Sequence, residues 1–277
     1  MATVTARNLT LTEPTAYPID RADAKAHARI ETTDEDLQVD AWIAAATDAA
    51  QKWTLRQLVV ATRELVLDDF PCGVDAIYVP RPPLVKVDSI VYTATDGTAT
   101  TLAASAYAID KRSEPGRVVP AYGSTWPSTQ GQIASVVVTY KAGYTAPYTV
   151  DAGTDTLTVQ GRTFTDGDVV RVSVSGGSDA AVPAGLAAMT DYYVVSASGS
   201  TCQLSATSGG SAIDITDTGT GTQYIGRDIP APILQGIRAM VAKLYEARSD
   251  VAVGVSIADV PSVCEKLWDM WTVPGLL

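Results

Sequence analysis

The hydrophobic period of this chain changes from helical to β and back again, and that order restricts it to a mixed fold with helices toward both ends. The first structured region is expected to be helical, beginning after Pro18-Ile19-Asp20. Asp20 stands as an N-cap before a short helix predicted to reach about Arg29. In TTDEDLQVDAWIAAATDAAQKWT, Thr32 and Glu35 have capping-box spacing. Val39, Trp42, Ile43, Ala46, Ala50 and Trp53 then recur at helical intervals. From about Gln57 the segments RELVLDDF, AIYVP, VKVDSIVYTA, YAID, RVVP and ASVVVTY are short and rich in Val, Ile and Tyr. Turn signals divide them: Pro82-Pro83, Asp96-Gly97 and Glu114-Pro115-Gly116.

A second shift comes near Thr149, where Thr, Ser, Gly, Asp and Val take over and helical periodicity vanishes. Residues 149–225 read as an independent all-β module. Helix returns after Asp228, with Pro230 and Pro232 suited to a first turn whose N–H groups have no partner in any case. Ile233, Ile237, Met240, Val241, Leu244 and Tyr245 form one apolar face, and Val263, Cys264, Leu267, Trp268 and Trp271 form another after Pro261. The expected class is α+β: a helical bundle core formed by N- and C-terminal helices, an antiparallel β region, and an inserted all-β module. The domains are expected at 1–148 with 226–277, and at 149–225.

Composition narrows the function. Charged residues are 18% of the 277, and the formal net charge is −11. Sequence-independent duplex binding relies on Lys and Arg to displace counterions, so such an acidic chain is not expected to wrap DNA. An acidic surface could line a channel through which DNA slides, or simply favour solubility. Cys72, Cys202 and Cys264 are widely spaced and suggest neither disulfides nor a zinc site. No secretory leader and no apolar stretch of membrane-spanning length is found, so synthesis and retention in the cytoplasm before assembly is the expectation.

The search for chemistry finds little. His27 is the sole histidine and sits beside Asp23, Lys25 and Arg29 on a short helix, as a solvated position would. No GxxxxGK[ST], strand-to-helix GxGxxG or GxSxG sequence occurs. No catalytic, cofactor-binding or metal-binding residue is assigned, and the chain is expected not to be an enzyme.

Several segments together resemble a known family. PIDRADAKAHARIETTDEDLQVDAWIAAATDAAQKWT, RELVLDDFP, IYVPRPPLVKVDSIVY, EPGRVVPAYGSTWPS and PAPILQGIRAMVAKLYEARSDVAVG, in that order, resemble head–tail connector (adaptor) proteins of lambda-like siphophages. The likeness covers about 1–148 and 226–277. Residues 149–225 resemble a small β module of assorted phage structural proteins.

What the resemblance implies is a structural subunit of the virion neck. It would form a ring, commonly of twelve, between the portal and the tail or stopper protein, with DNA passing through its channel and no membrane involved. The expected interfaces are the acidic helix 34–54, the Pro80–Pro83 loop with Arg81, the Tyr122–Pro127 loop with Trp126, and the tail with Trp268, Trp271, Val273, Leu276 and Leu277. The alternative is a capsid or tail decoration protein that binds carbohydrate through the β module, with Tyr192, Tyr193 and Tyr224 as stacking surfaces.

Overall fold

The computed structural model describes residues 6–246 and 263–273. It is α+β, with antiparallel sheets and four α-helices among the described residues, and it divides into two compact units.

The first unit comprises Met1–Pro14, Leu55–Gly143 and Val273–Leu277. Its strands are β1 (Ala6–Thr12), β2 (Ala61–Leu67), β3 (Ile77–Val79), β4 (Leu84–Thr93), β5 (Ala99–Thr101), β6 (Tyr107–Asp110), β7 (Gly116–Pro120) and β8 (Val136–Ala142). They make a five-stranded sheet, β1-β2-β8-β4-β5, and a three-stranded sheet, β3-β7-β6. Alternation sends Leu65, Leu67, Val136, Val138, Tyr140 and Ala142 to one face of the larger sheet, where they meet Ile77, Val79 and Val118 of the smaller one. Gly143 ends β8 at φ 143°, and a Cβ there would lie 2.6 Å from the Val60 backbone, so only glycine fits.

A polar chain crosses this unit. The buried Tyr140 hydroxyl accepts from Asn8 Nδ2 and donates to the Pro80 carbonyl, each at 3.0 Å. Arg63 donates to Asn8 Oδ1 at 3.0 Å and to Gln57 Oε1 at 2.9 Å. Burial pushes the Tyr140 phenol up to about 12, so it stays a neutral donor. These bonds also fix β1, a strand ahead of the first helix where periodicity predicts none. In Asn8-Leu9-Thr10-Leu11 the polar residues are half-buried and both leucines are 51% exposed, so the strand lacks the usual apolar-inward signature.

The second unit comprises Thr15–Thr54 and Tyr144–Thr272. Its strands are β9 (Thr145–Asp151), β10 (Thr156–Val159), β11 (Val169–Ser175), β12 (Asp191–Ser198), β13 (Thr201–Ser205) and β14 (Thr222–Gly226). They close into a barrel in the order β10-β13-β12-β11-β14-β9, filled by residues including Tyr148, Leu157, Val170, Val172, Val194, Leu204 and Ile225. The barrel therefore begins at Thr145, four residues before the change in composition. Its two ends are adjacent, because Arg227 N–H donates to the Tyr144 carbonyl at 2.8 Å.

The helices of this unit are α1 (Arg21–Ala28), α2 (Asp36–Thr54), α3 (Ala231–Glu246) and α4 (Val263–Asp269), and α2 and α3 pack on each other and on both short helices. Asp20 caps α1, accepting from Asp23 N–H at 2.8 Å, and Arg29 ends it in the left-handed region. At the expected capping box the structure shows an Asx/ST-type turn at Thr32. Thr32 Oγ1 accepts from Asp34 N–H at 3.1 Å, and the helix starts at Asp36. Arg21 and Lys25 of α1 reach Asp36, and Arg21 also reaches Asp40.

Trp268 docks α4 onto α3, with Nε1 donating to the Ile233 carbonyl at 3.3 Å. The indole lies over Gly236, where an added Cβ would come within 2.3 Å of Nε1. Gly236→Ala should therefore displace Trp268 and destabilise the unit by about 1–3 kcal/mol, the usual cost of overpacking. Chemical denaturation followed by tryptophan fluorescence reads this as an earlier transition.

Candidate interface surfaces

In the first unit the loop after β7 places its two aromatic rings differently. Trp126 is 8% exposed, stacks on Phe70 at 4.9 Å with 7° between planes, and donates Nε1–H to the Asp75 carbonyl at 2.8 Å. The ring is thus part of the unit's own core. Tyr122 is fully exposed. Arg81 has φ 61° and directly precedes the Pro82-Pro83 pair, so a left-handed residue turns the chain between β3 and β4.

Of the C-terminal candidates, Trp268 is 3% exposed and holds α4 to α3, Trp271 is half-buried, and Val273 is buried. Leu276 and Leu277 lie outside the described residues. Val263, expected on the apolar side of α4, is 66% exposed. Trp53, at the end of α2, donates Nε1–H to Asp269 Oδ1 at 2.8 Å while its ring stays partly exposed, and Met270 is exposed.

Charge is divided unequally between the units. The first carries nine acidic and nine basic side chains, and the second twenty-two acidic and eleven basic, so the second accounts for the whole excess. Within residues 145–226 there are eight aspartates against Arg162 and Arg171. Five of those aspartates hold loops by accepting backbone N–H groups. Asp151 accepts from Gly153, Asp155 from Ile215, Asp166 from Ala197, Asp168 from Thr165, and Asp217 from both Ala184 and Gly219. The barrel's acidity thus has a local structural cause: short carboxylates satisfy N–H groups that irregular loops leave unpaired.

Arg162 is half-buried over the Phe164 ring at 4.6 Å, and desolvation lowers its guanidinium to about 10. Two of the three tyrosines expected to stack on sugars are not available. Tyr192 is buried and accepts from Ala187 N–H at 2.7 Å, and Tyr224 is buried and donates to the Tyr17 carbonyl. His27 is exposed on α1. Among the described residues no cluster of His, Cys, Asp or Glu could hold a metal ion. A cavity of about 280 Å³ is lined by Pro18, Val174, Met189, Tyr224 and Leu234, together with the Arg238 guanidinium already paired with Asp23.

No protein-family model and no curated protein matches the chain. Solved structures do, among them two from gene transfer agent particles. One, described as the virion of a native gene transfer agent particle, contains a chain with TM-score 0.55 and 16% identity, over 98% of this chain and 97% of that one. The other, the neck of an empty particle of that kind computed with C6 symmetry, gives the same TM-score, identity and coverage. The fold is shared with a chain of a gene transfer agent particle. The likeness takes in nearly the full length of both chains, so it is not confined to the barrel or to the helices. At this identity it is a likeness of fold.

The carboxylate-held loops give the barrel a defined response to acid. Two backbone N–H groups, from Ala184 and Gly219, hold the Asp217 carboxyl below its ordinary 3.8. A depressed folded value contributes stability above the unfolded value and loses it as pH falls through the folded one. Asp217→Ala should therefore be less stable than the parent at pH 7, with the gap closing as pH falls below 3.8. Urea denaturation across that range measures it, and a gap independent of pH would contradict the assignment.

Proposed function

We propose that this chain is a head–tail connector of the lambda-like siphophage type, a structural protein of the virion neck. In this reading it forms a ring of about twelve subunits between the portal and the tail or stopper protein, with DNA passing through the channel. The observation that carries the proposal is the fold likeness over 98% of the chain to a chain of a particle neck computed with C6 symmetry. The ordered motifs in 1–148 and 226–277 support the same family from an independent direction.

The charge division suits such a role. A ring that exposes the acidic unit to its channel would repel DNA phosphates and let the duplex slide. The proposal is of a protein without catalytic function. Its only histidine lies on a short helix with no nucleophile assigned to it, and its aspartates are used in loops, ion pairs and caps. The host cytoplasm is the proposed site of the free protein before assembly.

Mass photometry of the protein mixed with the portal ring of the same phage tests the reading. The portal should gain a mass of about twelve subunits. Absence of binding at micromolar concentrations by folded protein would reject it. Deleting residues 274–277 leaves the buried Val273 in place. On the tail-docking part of the reading, that deletion should weaken portal binding by about tenfold or more without changing the melting transition.

A further inference from the structure

Among the described residues the larger sheet of the first unit leaves β1 as an unpaired edge, and this strand has the composition of one that can be paired. Natural edges are usually blunted by charged side chains, by proline, by β-bulges, or by being very short. β1 is seven residues long and contains neither lysine nor proline, and its one irregularity lies at Leu11, whereas β3 and β5 have three residues each and β6 has four. The barrel is closed and offers no edge. One face of β1 also displays Leu9 and Leu11 side by side, each 51% exposed, with a register irregularity between Thr10 and Thr12. Flanking them are the exposed Arg7 and Glu13, and neither side chain forms a hydrogen bond or ion pair with the described residues.

The order Arg7-Asn8-Leu9-Thr10-Leu11-Thr12-Glu13 is complementary to itself when reversed. In an antiparallel pair, residues directly opposite share a face. Placing Thr10 opposite its own counterpart sets Leu9 against Leu11, Asn8 against Thr12, and Arg7 against Glu13, twice over by symmetry. Both charges then meet an opposite charge, and all four leucines come together. No shift of one residue preserves this, because it would set apolar residues opposite polar ones.

We propose that two copies of this chain associate by antiparallel β1–β1 pairing about Thr10, with reciprocal Arg7–Glu13 ion pairs. The contact is isologous and uses the only long edge among the described residues of each copy, so it closes at two subunits. It is therefore separate from the cyclic contact of the proposed neck ring, and it can be tested on the isolated protein whatever the outcome with the portal.

Charge exchange tests the register. Arg7→Glu and Glu13→Arg each place like charges opposite at both ends of the pair, weakening association about tenfold or more. Both positions are exposed, so the subunit fold should remain intact. Sedimentation equilibrium of the parent chain at about 100 μM should give twice the subunit mass of 29.0 kDa. Each single variant should sediment as one subunit. An equimolar mixture of the two should return to two subunits, because a copy with glutamate at both positions then faces a copy with arginine at both. The R7E/E13R double variant should also dimerise alone. A monomeric parent, dimers that tolerate the single reversals, or a mixture that stays monomeric would overturn the proposal. A larger parent assembly indifferent to both reversals would do so too.

Discussion

The second unit depends on one ion pair. Asp23 of α1 receives Arg238 of α3 through both carboxylate oxygens at 2.7–3.1 Å, in a site where both side chains are largely withdrawn from water. Ser175, the last residue of β11, accepts from the Asp20 N–H at 2.9 Å and approaches the same carboxylate. Segments more than 150 residues apart in the chain are thereby brought to one point, which Tyr224 reinforces by donating to the Tyr17 carbonyl. A paired charge at this depth is worth more than a surface salt bridge, and removing either partner leaves the other desolvated and uncompensated. The pair ties α1 to α3 at this point, beside the ion pairs that Arg21 and Lys25 of α1 make with α2.

A second constraint lies in how the barrel handles its loops. Short strands joined by irregular turns expose many backbone N–H groups, and aspartate is the smallest side chain whose carboxylate can accept two of them. Asp217 does so with Ala184 and Gly219, and Asp166 and Asp155 reach across to Ala197 and Ile215. The same residues give the unit its acidity. A charge first read from composition as a property of the surface is therefore also a by-product of loop chemistry, and any effect on a DNA channel would be gained on top of it.

Much of the element order was legible in the sequence because local physics determines it. Asp20 caps α1, Val39, Ile43, Ala46 and Ala50 line the buried face of α2, and Ile233, Ile237 and Val241 do the same for α3. Strand β1 was not legible: its leucines point outward, and the partner that holds it is a polar chain through Asn8, Arg63 and Tyr140.

The candidate surfaces divide along the same line. Sequence by itself determined that Tyr122, Trp126, Trp268 and Trp271 are large, sticky side chains near loops or an end, since residue type and turn signals are local properties. Only tertiary structure decided which of them remain available. Phe70 and the Asp75 carbonyl take up Trp126, and Gly236 leaves space that Trp268 fills, while Tyr122 stays fully exposed. The sequence likewise determined a strong acidic excess, but the fold decided that all of it falls in one unit and that the other is neutral. The reason is physical: composition and periodicity are carried by neighbours along the chain, whereas burial depends on what distant segments bring to the same point.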